Sequence, residues 1–354
     1  MPATRPDARI ATLGRSLGAA GALLPGLAFA AALAWLSVQI EPLTTHASLA
    51  TLGRSITITA PVIALVVGMI LHPLADRLTF TVGTTFAIKK VLRWAIALFG
   101  LKIGLSDILG LGLGTAVMVI VAMAATLASG VLFARLFGRS DLYGAIAGAA
   151  TAVCGASAAL ATASVLPPYK HRESDTAFTA ITVNILATVA MIAYPPLCGL
   201  LGFDQRTTGI FLGATIHDVA QVVGAGYAVS DTTGDIATIV KLFRVFMLLP
   251  VVLGVGWWFS GQGGNAHRAK VPVPVFALMF LVFVVVNSLN VIPGPAKAGL
   301  VETSRWGLLI AIAALGLNTS PGTILRVGPR HLLVVLGSTA VIFVVPLVWL
   351  LAMR

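Results

Sequence analysis

Apolar residues in this chain come in long stretches separated by short polar breaks, without the strict alternation of a half-buried strand. The stretches lie near 19–38, 55–72, 87–105, 113–135, 143–165, 176–201, 208–229, 235–258, 272–291, 305–320 and 331–352. A helix needs about 20 residues to cross a bilayer core of roughly 30 Å. The pattern therefore predicts an all-α polytopic membrane protein with about 11 transmembrane helices. The longest polar break, 259–270, is too short to be a domain. The first run exceeds a signal-peptide core in length, so it reads as an uncleaved first span.

Composition strengthens that reading. Of 354 residues, 58% are hydrophobic and 10% are charged, against about 25% charged in ordinary soluble domains. A soluble enzyme, a disordered chain and a disulfide scaffold are excluded. The formal net charge of +11 would suggest nucleic acid in a soluble protein. Here the positives sit between apolar runs, as in the cytoplasmic loops of membrane proteins, so no nucleic-acid partner is expected. Cys154 and Cys198 lie in apolar segments without a C-x-x-C spacing, which argues against a metal site or a structural disulfide. No cofactor is implied. No G-x-x-x-x-G-K-[ST] segment is present, which disfavours ATP-driven transport.

With the N-terminus inside, 13 Lys and Arg fall in inner loops and 6 in outer ones, leaving four within spans. On this count Arg135, Arg139 and Arg206 are inner, while Lys170 and Arg172 are outer. The bias predicts a cytoplasmic N-terminus and a C-terminus outside.

The chain also resembles itself. Residues 65–75 match 210–220, aligning Gly68 with Gly213, His72 with His217 and Ala75 with Ala220. Lys90-Val-Leu-Arg93 matches Lys241-Leu-Phe-Arg244, and 148–157 matches 313–322. The predicted organisation is an N-terminal segment with the first helix (1–54), repeat 1 (55–203, helices 2–6) and repeat 2 (204–354, helices 7–11). Five helices is an odd number, so the repeats would be inverted, a recurring feature of secondary transporters. The fourth helix of each repeat reads as interrupted, since Gly and Pro free backbone groups that must line a cavity. These are helix 5, with Thr151, Cys154, Gly155 and Ser157, and helix 10, with Gly316, Asn318, Thr319, Ser320, Pro321 and Gly322. Half-helix N-termini there would suit an anion. Small-residue helix packing is the structural alternative.

Ionisable residues inside spans are functional candidates. Lys241 and Arg244 share one face of helix 8 at i,i+3, while Arg93 and Lys102 fall in helix 3. Two adjacent cations need an anion beside them. Asp218 is the one acid clearly inside a span; with His217 and Gln221 at helical spacing it would form one polar wall on helix 7. It would neutralise Lys241 or Arg244, or exchange a coupling proton with His217, whose ordinary pKa suits that task. In-span charge leans positive, which points to an anionic substrate rather than a cation.

These segments resemble the YeiH-type family of bacterial membrane proteins. The matching pieces are Ala152-Val-Cys154-Gly155-Ala-Ser157-Ala158, Thr215-Ile-His217-Asp218-Val-Ala-Gln221-Val-Val-Gly224-Ala-Gly226, Lys241-Leu-Phe-Arg244-Val-Phe-Met247-Leu-Leu-Pro250 and Ala314-Leu-Gly316-Leu-Asn318-Thr319. The family name implies sulfate or sulfonate export. The family is similar to the wider cation/proton antiporter and bile-acid symporter group, whose inverted five-helix repeats each hold a broken crossing helix. The resemblance implies a homodimer. Together these readings predict a secondary transporter of a small anion, not an enzyme. Cys154, Gly155, Ser157, Lys241, Arg244, Gly316, Asn318 and Thr319 would bind substrate, and His217, Asp218 and Gln221 would couple it. A proton- or sodium-coupled cation antiporter is the alternative. An intramembrane enzyme with Cys154 as nucleophile would need a base that the sequence does not place beside it.

Overall fold

The computed structural model describes residues 6–52, 59–75, 78–259, 275–318 and 329–353. Among them there is no strand. The helices are α1 (Pro6–Leu52), α2 (Ala60–Ala75), α3 (Leu78–Phe86), α4 (Leu92–Phe99), α5 (Leu105–Gly110), α6 (Gly112–Leu136), α7 (Asp141–Ala152), α8 (Ala156–Val165), α9 (Arg172–Leu200), α10 (Gln205–Thr215), α11 (Val219–Val229), α12 (Asp231–Phe246), α13 (Leu248–Trp258), α14 (Val275–Ser288), α15 (Gly294–Asn318) and α16 (Pro329–Ala352). A π-turn, Ala87–Val91, joins α3 to α4. Six described segments are long and apolar enough to cross a membrane: Gly21–Thr44, Gly112–Leu136, Arg172–Leu200, Asp231–Trp258, Gly294–Asn318 and His331–Ala352.

The chain forms two compact units, one from Met1–Gly104 with Leu278–Gly322 and the other from Leu105–Ala277 with Thr323–Arg354. In the first unit, α15 runs unbroken through Gly316 to Asn318. The helix shows no break at Gly316 itself; Thr319 to Gly322, where the rest of the expected interruption falls, lie outside the described residues. Gly316 instead lets α2 approach, since a Cβ there would lie 2.5 Å from the carbonyl oxygen of Leu65. This is the small-residue packing that membrane helices use where backbones touch. His72 Nδ1 donates to the Leu317 carbonyl at 2.8 Å, and Thr84 Oγ1 donates to Asn318 Oδ1 at 3.0 Å. Asn318 thus ties α15 to α3.

The second unit departs further from expectation. Helix 5 is broken at Val153–Gly155, and its two arms fold back on each other. Arg139, ahead of α7, lies 3.7 Å from Asp175 Oδ1. Tyr169, beyond α8, donates to Oδ2 of the same carboxylate at 3.2 Å. One side chain is thus reached from both ends of a segment that would separate them by roughly 40 Å if extended as a helix. α7 and α8 form a re-entrant hairpin. Its arms of 12 and 10 residues each reach about half a bilayer core.

Helix 7 is also two arms rather than one span. It breaks at Ile216–Asp218, and Thr233 Oγ1, at the start of α12, donates to the carbonyl of Gln205, at the start of α10, at 3.0 Å. α10 and α11 therefore fold back as well. The α9 helix of 29 residues, about 43 Å long, separates the two mouths. The α7–α8 hairpin opens at the Asp175 end of α9, and its tip reaches the middle: a Cβ on Gly155 would lie 3.6 Å from Val183 Cγ1. The second hairpin opens beyond Leu200. Its tip meets the same region, where Gln221 Nε2 donates to Asn184 Oδ1 at 3.0 Å. The two hairpins thus enter from opposite ends and meet midway.

Within the first hairpin, Ala145, Ala147, Ala149, Ala150, Ala158 and Ala159 are buried, so the arms pack on methyl groups with little side-chain entropy to lose. Ser140 caps α7 by accepting from the Tyr143 N–H at 3.2 Å. Arg135 grips Asp141 with two bonds of 2.8 Å. These hydrogen bonds hold the Asp141 carboxyl below its ordinary range.

Single cysteines at Ser140 and His171, labelled by a membrane-impermeant maleimide in sealed vesicles, are predicted to react from one face. Cysteines at Gln205 and Thr232 should react from the other. Labelling of Ser140→Cys and His171→Cys from opposite faces would show that α7–α8 crosses the membrane.

Candidate functional site

The two hairpin tips meet around α12. A helix that stops inside a membrane leaves carbonyl groups without partners at its end, and lipid cannot satisfy them. α7 ends at Ala152 and α10 at Thr215. Gly155 makes the first turn-back possible: its φ of 66° is in the left-handed region that favours glycine. Its N–H returns to the Ala150 carbonyl at 2.8 Å. At the second tip, Asp218 caps α11 by accepting from the Ala220 N–H at 2.8 Å, the ordinary use of an Asp at this position.

Lys241 and Arg244 supply the missing donors, and both are fully buried. Arg244 Nε donates to the Ala152 carbonyl at 3.0 Å. Its Nη1 donates to Gly213 at 3.0 Å and Ile216 at 2.9 Å. Its Nη2 donates to Thr151 at 3.0 Å and Ala152 at 2.8 Å. Lys241 Nζ donates to Val153 at 2.7 Å, to Ile216 at 3.0 Å and to His217. A guanidinium has five N–H donors and an ammonium three; all of them are engaged. Neither cation retains a donor for a ligand, so their role at the tips is charge compensation and positioning.

Among the described residues, no carboxylate comes within ion-pair distance of Lys241 or Arg244. Each helix C-terminus contributes about half a negative charge, and each N-terminus about half a positive one. The two cations, the ends of α7 and α10, the starts of α8 and α11, and Asp218 together leave about one positive charge at the tips.

The remaining predicted residues are placed as follows. Cys154 is buried at the first tip as a free thiol, and Ser157 is exposed in the first turn of α8. His217, Asp218 and Gln221 do not form one wall, because the helix that would align them is broken. The His217 ring is buried, with Nε2 at 3.1 Å from Thr339 Oγ1 of α16 and Nδ1 unpartnered. Gln221 turns to Asn184 and Thr188 of α9. Asp218 turns to its own helix start. Arg93 and Lys102 are exposed in the other unit, as are Lys89 and Lys90. Gly316 and Asn318 also belong to that unit.

Sequence reading missed Asn184, Thr188 and Thr339, although each is a polar residue in the middle of an apolar run. It also missed Thr151 and Thr215 as a matched pair. Each closes the first arm of a hairpin by donating its hydroxyl to the carbonyl four residues back, at 2.9 Å and 2.7 Å.

Replacing Arg244 by Lys keeps the charge but loses the five-donor fork. At least two of its five hydrogen bonds to the tip carbonyls are lost, at about 1–3 kcal/mol each. Arg244→Lys is therefore expected to lower the apparent melting temperature of the detergent-solubilised protein by several degrees, while Arg206→Lys leaves it unchanged. Equal melting temperatures for Arg244→Lys and wild type would refute the saturated-donor account.

Comparison with known proteins follows the same lines. A family described as conserved hypothetical protein 698 matches residues 25–335. The UPF0324 membrane protein CT0845 of Chlorobaculum tepidum is 43% identical over 294 residues, 81% of this chain and 82% of its own length. The UPF0324 membrane protein TauZ of Paracoccus pantotrophus is 43% identical over 284 residues, 79% and 84% of the two chains. The UPF0324 membrane protein RB0971 of Rhizobium meliloti is 41% identical over 288 residues, 80% and 84%. The family match spans both hairpins and α12, the elements that build the tips. The chain belongs to this conserved hypothetical protein 698 family of UPF0324 membrane proteins, the YeiH-type group that its sequence resembles.

Proposed function

We propose that the protein is a secondary transporter of a small anion of the sulfate or sulfonate class, working by alternating access. The observation that carries this reading is the buried Lys241–Arg244 pair, held by carbonyls from two opposed tips with no carboxylate within ion-pair distance among the described residues. A site near the middle of the spans with about one excess positive charge favours an anion over a cation. Broken helices whose starts face a central site recur in transporters of anionic substrates. The start of α8, with Cys154, Gly155 and Ser157, offers backbone N–H groups uncapped by any side chain. His217 and Asp218 stand at the second tip as the coupling pair, with Gln221 linking it to α9.

The hairpins also sharpen the orientation. With neither hairpin crossing, Lys170 and Arg172 join Arg135 and Arg139 on one face, and Arg206 moves to the other. The inner and outer counts become 14 and 5 instead of 13 and 6. The mouth of α7–α8 is then cytoplasmic by the positive-inside rule, in a bacterial inner membrane with the N-terminus inside.

Purified protein in liposomes is expected to carry radiolabelled sulfate or methanesulfonate, with flux rising under a pH gradient. Sodium-driven exchange without anion flux would instead favour a cation antiporter. Asp218→Asn preserves the cap, since Asn and Asp serve equally there. It is expected to leave anion exchange intact and abolish the pH-driven component. A pH response of wild-type size in Asp218→Asn would remove that residue from coupling.

A further inference from the structure

We propose that His331 is a proton-binding site at the mouth of the α7–α8 hairpin, whose protonation exchanges one bonded partner for another and releases Arg139. The proposal stands apart from the substrate site at the tips. His331 Nε2 faces two groups that it cannot serve together. Arg139 Nη2 lies within hydrogen-bond distance of it, and a guanidinium only donates, so this contact needs the lone pair of a neutral ring. Asp175 Oδ1 lies 3.2 Å from the same nitrogen, and a carboxylate only accepts, so that contact needs a proton there. One nitrogen cannot accept and donate at once.

The surroundings hold the ring still while its partners differ. Tyr143 OH donates to the His331 carbonyl at 2.9 Å, and the Tyr143 and Phe178 rings each lie 5.0 Å from the imidazole. The charged and titratable groups around His331 come from every packed element. Arg139 precedes α7, Tyr143 lies on α7, Tyr169 follows α8 and Asp175 begins α9; Arg135 and Asp141 are bound to each other. With His331 neutral, Arg139 donates to it and sits 3.7 Å from Asp175. With His331 protonated, Nε2–H donates to Asp175 and the imidazolium faces Arg139 as a like charge. What then holds Arg139 is the longer contact to Asp175, at 3.7 Å, and the Tyr143 ring, 5.8 Å from its guanidinium carbon, while its Nε is buried without a partner.

Arg139 anchors the connection from α6 into the hairpin. Its release loosens residues 137–140 and with them the first arm. Given the orientation proposed above, protonation of His331 couples cytoplasmic acidity to the hairpin mouth.

Hydrogen–deuterium exchange of the full chain in detergent, corrected for the intrinsic pH effect, reads this directly. Peptides covering 137–143 are expected to exchange about threefold faster near pH 5.5 than near pH 8, either side of the ordinary histidine range. His331→Gln stays neutral and still accepts from Arg139, so its step should vanish. No step in wild type, or a full step in His331→Gln, overturns the proposal. Should His331→Gln fail to fold, Asp175→Asn serves instead. Loss of its carboxylate must shrink the step or move it to lower pH, and an unchanged step refutes the switch.

Discussion

The contact between six hairpin-tip carbonyls and the eight N–H donors of Lys241 and Arg244 is the constraint on which the second unit is built. Each side of it is forbidden alone. A carbonyl left at a helix end inside a bilayer costs several kcal/mol, and a buried cation without compensation costs more. Together they are allowed. The i,i+3 spacing on α12 places both head groups on one face, where each reaches both tips: Arg244 bridges Thr151 and Ala152 to Gly213 and Ile216. The cations therefore weld the two hairpins to each other as well as to α12, and neither hairpin can be displaced at its tip without exposing the other's carbonyls.

That welding sets what the site can do. Residues often expected to clasp an anion have no donor left to offer it, so their influence on a ligand is electrostatic and passes through the tip backbone. Direct contact then falls to the starts of α8 and α11 and to side chains near them. The two starts differ: Asp218 already occupies the α11 start, while Gly155 leaves that of α8 without a side-chain cap. The difference separates the two places that the proposed function would give to a ligand, the start of α8, and to a proton, Asp218.

Much of this was legible in the sequence, and the failures have identifiable causes. Apolar length revealed membrane helices, and two cations at i,i+3 inside one apolar run marked Lys241 and Arg244 as unusual. Gly155 marked a break. Whether a broken segment crosses or turns back is not encoded in its hydropathy, because 143–165 is as long and apolar as a span. The decision rests on Arg139, Tyr169 and Asp175, which lie far apart in sequence and meet at one carboxylate. Helix 7 misled in another way. Thr215-Ile-His217-Asp218 was read as a polar stripe on one helix, whereas Asp218 is an N-cap, so the i,i+4 spacing of His217 and Gln221 placed nothing in register. Gly316 misled by analogy with Gly155, since glycine serves close packing as readily as interruption.

The placement of the hairpins carries one more step. Both tips are built alike, with a Thr back-bonded to its own helix before the break, a turn of three residues, and a second arm of similar length. They open at opposite ends of α9, a pairing different from the sequence alignment of 148–157 with 313–322. Their mouths are not equivalent. The α7–α8 mouth brings Arg139 and Asp175 to one histidine ring, that of His331, whereas the α10–α11 mouth is closed by bonds such as Thr233 to Gln205 and Tyr227 to Asp235, neither of which involves a histidine. Under the proposed mechanism the two tips would give similar barriers, and the histidine at one mouth is what would let them respond differently to acidity.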